Sequence, residues 1–106
     1  MKPEPLPPSC AEKLKVLADT TRLAVLEALL EKPQYVNELM DLLHIEQSLL
    51  SHHLAQLRDA ELVQARRDGK AVLYQLAPGV SRTKGGKAIE LGCCQLSFTT
   101  KKSPRS

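Results

Sequence analysis

The stretch that most constrains this chain is residues 36–57, VNELMDLLHIEQSLLSHHLAQL. Val36, Leu39, Met40 and Leu43 recur at i, i+3, i+4 and i+7, which places them on one stripe of a helix. The stripe breaks at His44-Ile45 and resumes as Leu50, Leu54 and Leu57. Two amphipathic helices separated by so few residues must cross sharply to bury their stripes against each other, which is a helix-turn-helix. His44 falls at the turn, where a left-handed backbone is expected; histidine tolerates that conformation better than a β-branched residue does.

The outward face of the second helix carries Gln47, Ser48, Ser51, His52 and Gln56. Solvated faces more often carry Lys and Glu. Hydroxyls, amides and imidazoles instead suit base edges and phosphate oxygens at close range. A polar face can also be merely wet, so the segments on either side carry the distinction.

Upstream, residues 1–8 hold four prolines and read as an extended arm. Ser9 can cap a helix starting at Cys10, with Ala11, Leu14, Leu17 and Ala18 as its stripe. Asp19 caps a second helix, TTRLAVLEALLEK, with Leu23, Leu26, Leu29 and Leu30 inward, and Pro33 ends it. Downstream of the helix-turn-helix the period becomes two: LVQARR, Asp68-Gly69, then KAVLYQL. Asp-Gly between β-prone runs signals a hairpin, with both residues expected at positive φ. Arg66, Arg67 and Lys70 crowd its tip. Such a tip can serve solubility alone, but beside a helix-turn-helix it suits a wing that grips phosphates. Residues 81–86 form a polar connector. Residues 87–98, KAIELGCCQLSF, are expected as a last helix, although Gly92 and the adjacent cysteines weaken that pattern. Residues 99–106 are a basic tail. The expected organisation is therefore a disordered arm (1–8), one winged helix-turn-helix domain (9–98), mainly α with a β-hairpin wing, and a flexible tail (99–106).

Composition agrees with that plan. At 106 residues the chain suffices for one small domain. Apolar residues are 42% and aromatic residues only 3%, so Leu, Val, Ile and Ala must make the core. So short a chain buries a modest fraction of its surface, and dimerisation is a common remedy. The net charge of +3 gives +6 for a dimer (2 × 3), which is compatible with DNA but not diagnostic. No run of about 18 apolar residues is present to span a membrane, and the N-terminus lacks the apolar core of a signal peptide. The expected location is the cytoplasm, with three free thiols. No nucleophile–base constellation, phosphate-cradling glycine loop or paired acid stands out, so an enzyme is not expected.

The order helix, helix, helix-turn-helix, hairpin, last helix resembles the ArsR/SmtB family of bacterial winged-helix repressors. The residues that carry the resemblance are LADTTRLAVLEALL (17–30), QSLLSHHLAQLRDAELV (47–63) and RRDGKAVLYQL (66–76), in continuous register over roughly residues 10–77. It implies a homodimer joined through the first and last helices. It also implies repression at a double-stranded operator, with no cofactor needed for DNA binding and release when an inducer binds. On that template Gln47, Ser48, Ser51 and His52 contact DNA, and Arg66, Arg67 and Lys70 lie on the wing. One departure is Glu46, where the family commonly caps the recognition helix with Ser or Thr. A carboxylate suits the positive end of a helix but would sit near a DNA phosphate.

Two inducer sites of the family are absent as normally built: residues 35–43 contain no cysteine, and residues 81–98 contain no His or Asp. His52 and His53 point about 100° apart on a helix and do not form an i, i+4 metal pair. What remains is Cys93 and Cys94 near the C-terminal end, with Cys10 at the start of the first helix. Small cysteines can simply fill an interface. Cysteines in the last helix region serve some arsenic sensors of the family, which implies a metalloid inducer: As(III), with Sb(III) close behind. Soft thiolates select soft ions. Whether Cys10 joins from its own chain or across a dimer stays open. The alternatives are a thiol redox or persulfide switch, a Cd- or Zn-responsive repressor, and, from another class, a winged-helix protein-interaction module without DNA binding.

Overall fold

A computed structural model gives the architecture and describes residues 9–83 and 88–97. The expected N-terminal arm (1–8) and basic tail (99–106) lie outside the described residues. Four helices come first: α1 (Cys10–Leu17), α2 (Thr20–Glu31), α3 (Val36–Leu43) and α4 (Gln47–Asp59), with a two-residue strand β1 (Gln34–Tyr35) before α3. Strands β2 (Val63–Asp68) and β3 (Ala71–Leu76) form the hairpin. Three short strands follow: β4 (Ser81–Arg82), β5 (Ala88–Glu90) and β6 (Gln95–Ser97).

The helix boundaries have local causes. Ser9 and Glu12 form a reciprocal capping box, with Glu12 N donating to Ser9 Oγ (3.2 Å) and Ser9 N to Glu12 Oε1 (3.0 Å). Asp19 Oδ1 accepts from the backbone N–H groups of Thr21 (2.9 Å) and Arg22 (3.0 Å), which starts α2. His44 sits in the left-handed region at φ 54°, as the turn requires, and ends α3. Glu46 occupies the N-cap of α4 but its side chain makes no capping hydrogen bond. α4 closes at a second left-handed residue, Glu61 (φ 59°), which turns the chain into β2.

The core is the meeting of these apolar stripes. Leu26, Leu39, Leu50, Leu54, Leu57 and Leu62 are fully buried, with Leu17, Val25, Leu29, Val63 and Tyr74 packed around them. Leu23, Leu30, Val36, Met40 and Leu43 flank this core half-buried. The expected stripe of α1 is covered only at Leu17; Leu14 stays 40% exposed, and Ala11 and Ala18 are open.

The wing is a three-stranded antiparallel sheet of order β1-β3-β2. Its register pairs Asp68 with Ala71, so the turn residues are Gly69 and Lys70 rather than Asp68 and Gly69. Only Gly69 takes positive φ (65°). A two-residue hairpin with glycine at its first central position needs no more, and Asp68 stays extended as the last rung of the ladder.

Residues 88–97 correct the sequence expectation of a last helix. They form the β5–β6 hairpin, which joins β4 in a second antiparallel sheet of order β4-β5-β6. Ala88 (6% exposed), Ile89 (0%) and Leu91 (2%) are buried, and only Glu90 among them is half-exposed. Gly92, at φ 94°, turns the chain where a helix would have to continue. An interface between first and last helices therefore has no last helix among the described residues; the second sheet stands in its place, and only α1 remains of that pair.

Candidate nucleic-acid interface and thiol site

On α4 the side chains of Gln47, Ser48, Ser51 and His52 are exposed, while Leu50, His53, Leu54 and Leu57 are buried on the other side. One helix thus presents a continuous polar face held rigidly from behind. Gln56 is half-buried at the margin. Its Oε1 accepts from Arg22 Nη1 at 3.1 Å, and its Nε2 lies 3.5 Å from His52 Nε2. His53 is only 9% exposed, with Nδ1 3.5 Å from Arg22 Nη1.

Arg66, Arg67 and Lys70 are exposed on the wing. Successive strand residues face opposite sides, so Arg66 and Arg67 cannot share a face. Arg67 aligns with Ala65 and Val63, whose register partners are Val72, Tyr74 and Leu76. Arg66 aligns instead with Asp68 and with Leu73, which also pairs with Tyr35. On that face the Tyr35 hydroxyl donates a short hydrogen bond to the Asp68 carboxylate, tying the wing to the start of α3. The bond and the carboxylate's charge push the Tyr35 phenol above its ordinary value of 10.0. Lys70 shares a cleft with Gln47 and Asn37, so the wing tip and the first turn of α4 line one surface.

The three cysteines converge within a single chain. Cys10 is the first residue of α1, Cys93 is at the exposed tip of the β5–β6 turn, and Cys94 follows it half-buried. The turn is closed by Leu91 N donating to Cys94 O at 2.9 Å. All three Sγ atoms lie within 4.8 Å of one another. Cys10 and Cys93 are joined as a disulfide, Cα–Cα 5.9 Å, and Cys94 Sγ is a free thiol 3.1 Å from Cys10 Sγ. A trivalent soft ion fits this donor set by chemistry and number, but only after reduction, since the disulfide leaves one thiol.

Sequence reasoning missed Arg22 and Tyr35. Arg22 is the lone cation in TTRLAVLEALL, an otherwise mostly apolar run, which is a signal for a half-buried guanidinium with fixed acceptors. Its Nε donates to Val16 O at 2.7 Å. Its backbone N–H is the largest of the influences that hold Asp19 below the ordinary carboxylate value.

A family model described as bacterial regulatory protein, arsR family, matches residues 19–65. The HTH-type transcriptional regulator Rv0081 of Mycobacterium tuberculosis is 44% identical over 78 residues, covering 73% of this chain and 68% of that protein. The arsenical resistance operon repressor of Staphylococcus aureus is 40% identical over 63 residues, covering 59% of this chain and 61% of that one. The first curated relatives are longer, and the chain spans 60% and 51% of KmtR and SmtB of M. tuberculosis. Among solved structures, reduced HlyU from Vibrio cholerae superposes with a TM-score of 0.62 at 40% identity, covering 63% of this chain and 70% of that one. No helix of the described residues is long and apolar enough to cross a membrane. With a helix-turn-helix, a wing and relatives of this identity and coverage, the chain belongs to the arsR family of bacterial regulatory proteins.

Proposed function

We propose that this chain is a transcriptional repressor that binds operator DNA as a homodimer and is released when trivalent arsenic binds Cys10, Cys93 and Cys94. The observation that carries the inducer reading is the convergence of three sulfurs within 4.8 Å at the junction of α1 and the β5–β6 turn. Arsenic(III) takes three thiolates in a pyramid, and antimony(III) shares that preference. The likeness to an arsenical resistance operon repressor supports the same reading. Zinc or cadmium on the same thiolates would want a fourth ligand, and no other His, Cys, Asp or Glu of the described residues joins the group.

DNA is read by Gln47, Ser48, Ser51, His52 and Gln56 in the major groove and gripped by the wing through Lys70 and one of Arg66 and Arg67, which face opposite sides. Homodimerisation covers the exposed Leu14 side of α1 and sets the spacing of two recognition helices. The protein acts in a reducing cytoplasm, where the thiols are available, and has no catalytic role.

The test replaces Cys93 and Cys94 by Ser and follows arsenite-driven release from operator DNA. Release is expected to be lost. Unchanged release in the double variant sinks the site, and release lost there but retained in Cys10→Ser reduces it to two thiolates and an outside ligand.

A second reading is favoured by the Cys10–Cys93 disulfide itself. On this reading oxidation of that pair, not metalloid binding, releases the repressor. Release by diamide, reversed by dithiothreitol and indifferent to arsenite, would establish it over the first.

A further inference from the structure

α1 has eight residues, with Cys10 first and Val16 in its last turn. The two are six residues apart, about 9 Å along a helix axis. So short a helix moves as a rod, and a change of bonding at Cys10 is felt at the Val16 carbonyl. That carbonyl accepts from Arg22 Nε at 2.7 Å. The same guanidinium donates through Nη1 to Gln56 Oε1 at 3.1 Å and meets His53 Nδ1 at 3.5 Å. Gln56 in turn approaches His52 at 3.5 Å. A route of polar contacts therefore runs from the far end of α1, through one side chain of α2, to the DNA-facing side chains of α4.

A guanidinium is a planar fork with fixed donor directions. It serves acceptors on α1 and α4 together only while those helices keep one relative placement. Displacement of α1 by about 1 Å stretches the Val16 bond beyond hydrogen-bond range, or makes Arg22 follow and release Gln56. We propose that Arg22 is a positioning residue for DNA recognition: it fixes Gln56 and His52 according to the placement of α1, which the cysteine cluster sets, and the arrangement described here is that of the Cys10–Cys93 disulfide state. The proposal rests on the repressor reading and on the cluster as its sensor. It does not depend on which chemistry, metalloid binding or disulfide formation, acts there.

The experiment measures affinity by fluorescence anisotropy for a duplex selected from a random-sequence pool by the reduced protein. The full chain is compared in three states: reduced, diamide-oxidised, and reduced with arsenite. The wild-type affinity is expected to differ by about tenfold or more between the disulfide state and at least one of the other two, an ordinary size for coupling between sites. In Arg22→Lys and Gln56→Ala that ratio should fall to within about twofold. Gln56→Glu keeps an acceptor for Arg22; it should keep the ratio while binding more weakly in every state. A residue that only stabilises the fold lowers affinity by the same factor in all states and leaves the ratio alone. Should Arg22→Lys fail to fold, Gln56→Ala, at the outer margin of the network, decides the matter. A wild-type ratio in Gln56→Ala overturns the proposal, and so does a wild type with equal affinity in all three states. A flat arsenite arm beside a responding oxidised arm sinks the arsenic reading alone and leaves this inference to be judged on the oxidised arm.

Discussion

Replacing Arg66, Arg67 and Lys70 together by alanine should flatten the salt dependence of DNA binding by about 4 in the slope of log K against log salt. The figure follows from the wing's geometry. Each phosphate neutralised contributes about 0.9 to that slope. Arg66 and Arg67 are successive residues of β2 and face opposite sides of the ribbon, so one face of the wing carries one arginine plus Lys70 at the turn. Two phosphates per protomer make four per dimer, or about 3.6 in slope; engagement of all three cations would give about 5.4. Over a fourfold rise in salt the difference between wild type and variant amounts to roughly a hundredfold in affinity. Anisotropy titrations at several salt concentrations, on selected and scrambled duplexes, measure it. The loss should be equal on both duplexes, since phosphate contacts carry no sequence information. The single variants Arg66→Ala and Arg67→Ala should differ clearly from each other. An unchanged slope in the triple variant refutes the wing as a phosphate grip, and a loss near 5.4 refutes the argument from opposed faces.

Tyr35 should ionise above its ordinary value of 10.0 because ionisation breaks its bond to Asp68 and sets two negative charges together. The stability it contributes is present below the unfolded value and is lost as pH rises through the raised folded one. Ultraviolet difference titration should show one phenol moving back toward that value in Asp68→Asn; no movement would mean the bond does not form in solution. Leu54→Ala, at a position 1% exposed between the recognition helix and the core, should cost about 2–5 kcal/mol in chemical denaturation. A cost under about 1 kcal/mol would mean that α4 is not packed as described. Glu61→Gly should raise stability by about 0.5–1 kcal/mol, since a left-handed helix terminus suits glycine. A lower melting temperature in that variant would show that the Glu61 side chain contributes more than its backbone costs.

What could be read from residue order was whatever is decided locally. Ser9 and Asp19 cap because their oxygens reach N–H groups two or three residues on, and His44 turns left-handed because two stripes must cross there. The outward polar face of α4 follows from the positions of Leu50, Leu54 and Leu57. The last segment failed for want of length. Ala88, Ile89 and Leu91 fit a helix as well as a strand, and only Gly92 and the adjacent cysteines weighed against a helix. The hairpin turn was misplaced by one residue because Asp-Gly statistics say nothing about Asp68 as a register partner of Ala71. Arg22 was illegible as a bridge because its acceptor on α4 lies 34 positions away. The meeting of Cys10 with Cys93 and Cys94 had no local signal; it was expected only because the family resemblance implied that the first and last segments pack together.

The Cys10–Cys93 bond closes a loop across a sequence separation of 83 residues, and every element from α1 to β5 lies within it. In the oxidised state residues 10–93 thus form one covalent ring. A protease that nicks the exposed wing tip then leaves one covalent particle, which separates into two pieces on a denaturing gel only after reductant is added. Ring closure also removes about 4.5 kcal/mol of chain entropy from the unfolded ensemble. The disulfide form is therefore expected to resist denaturant better than the reduced one, a difference that unfolding with and without reductant reads directly.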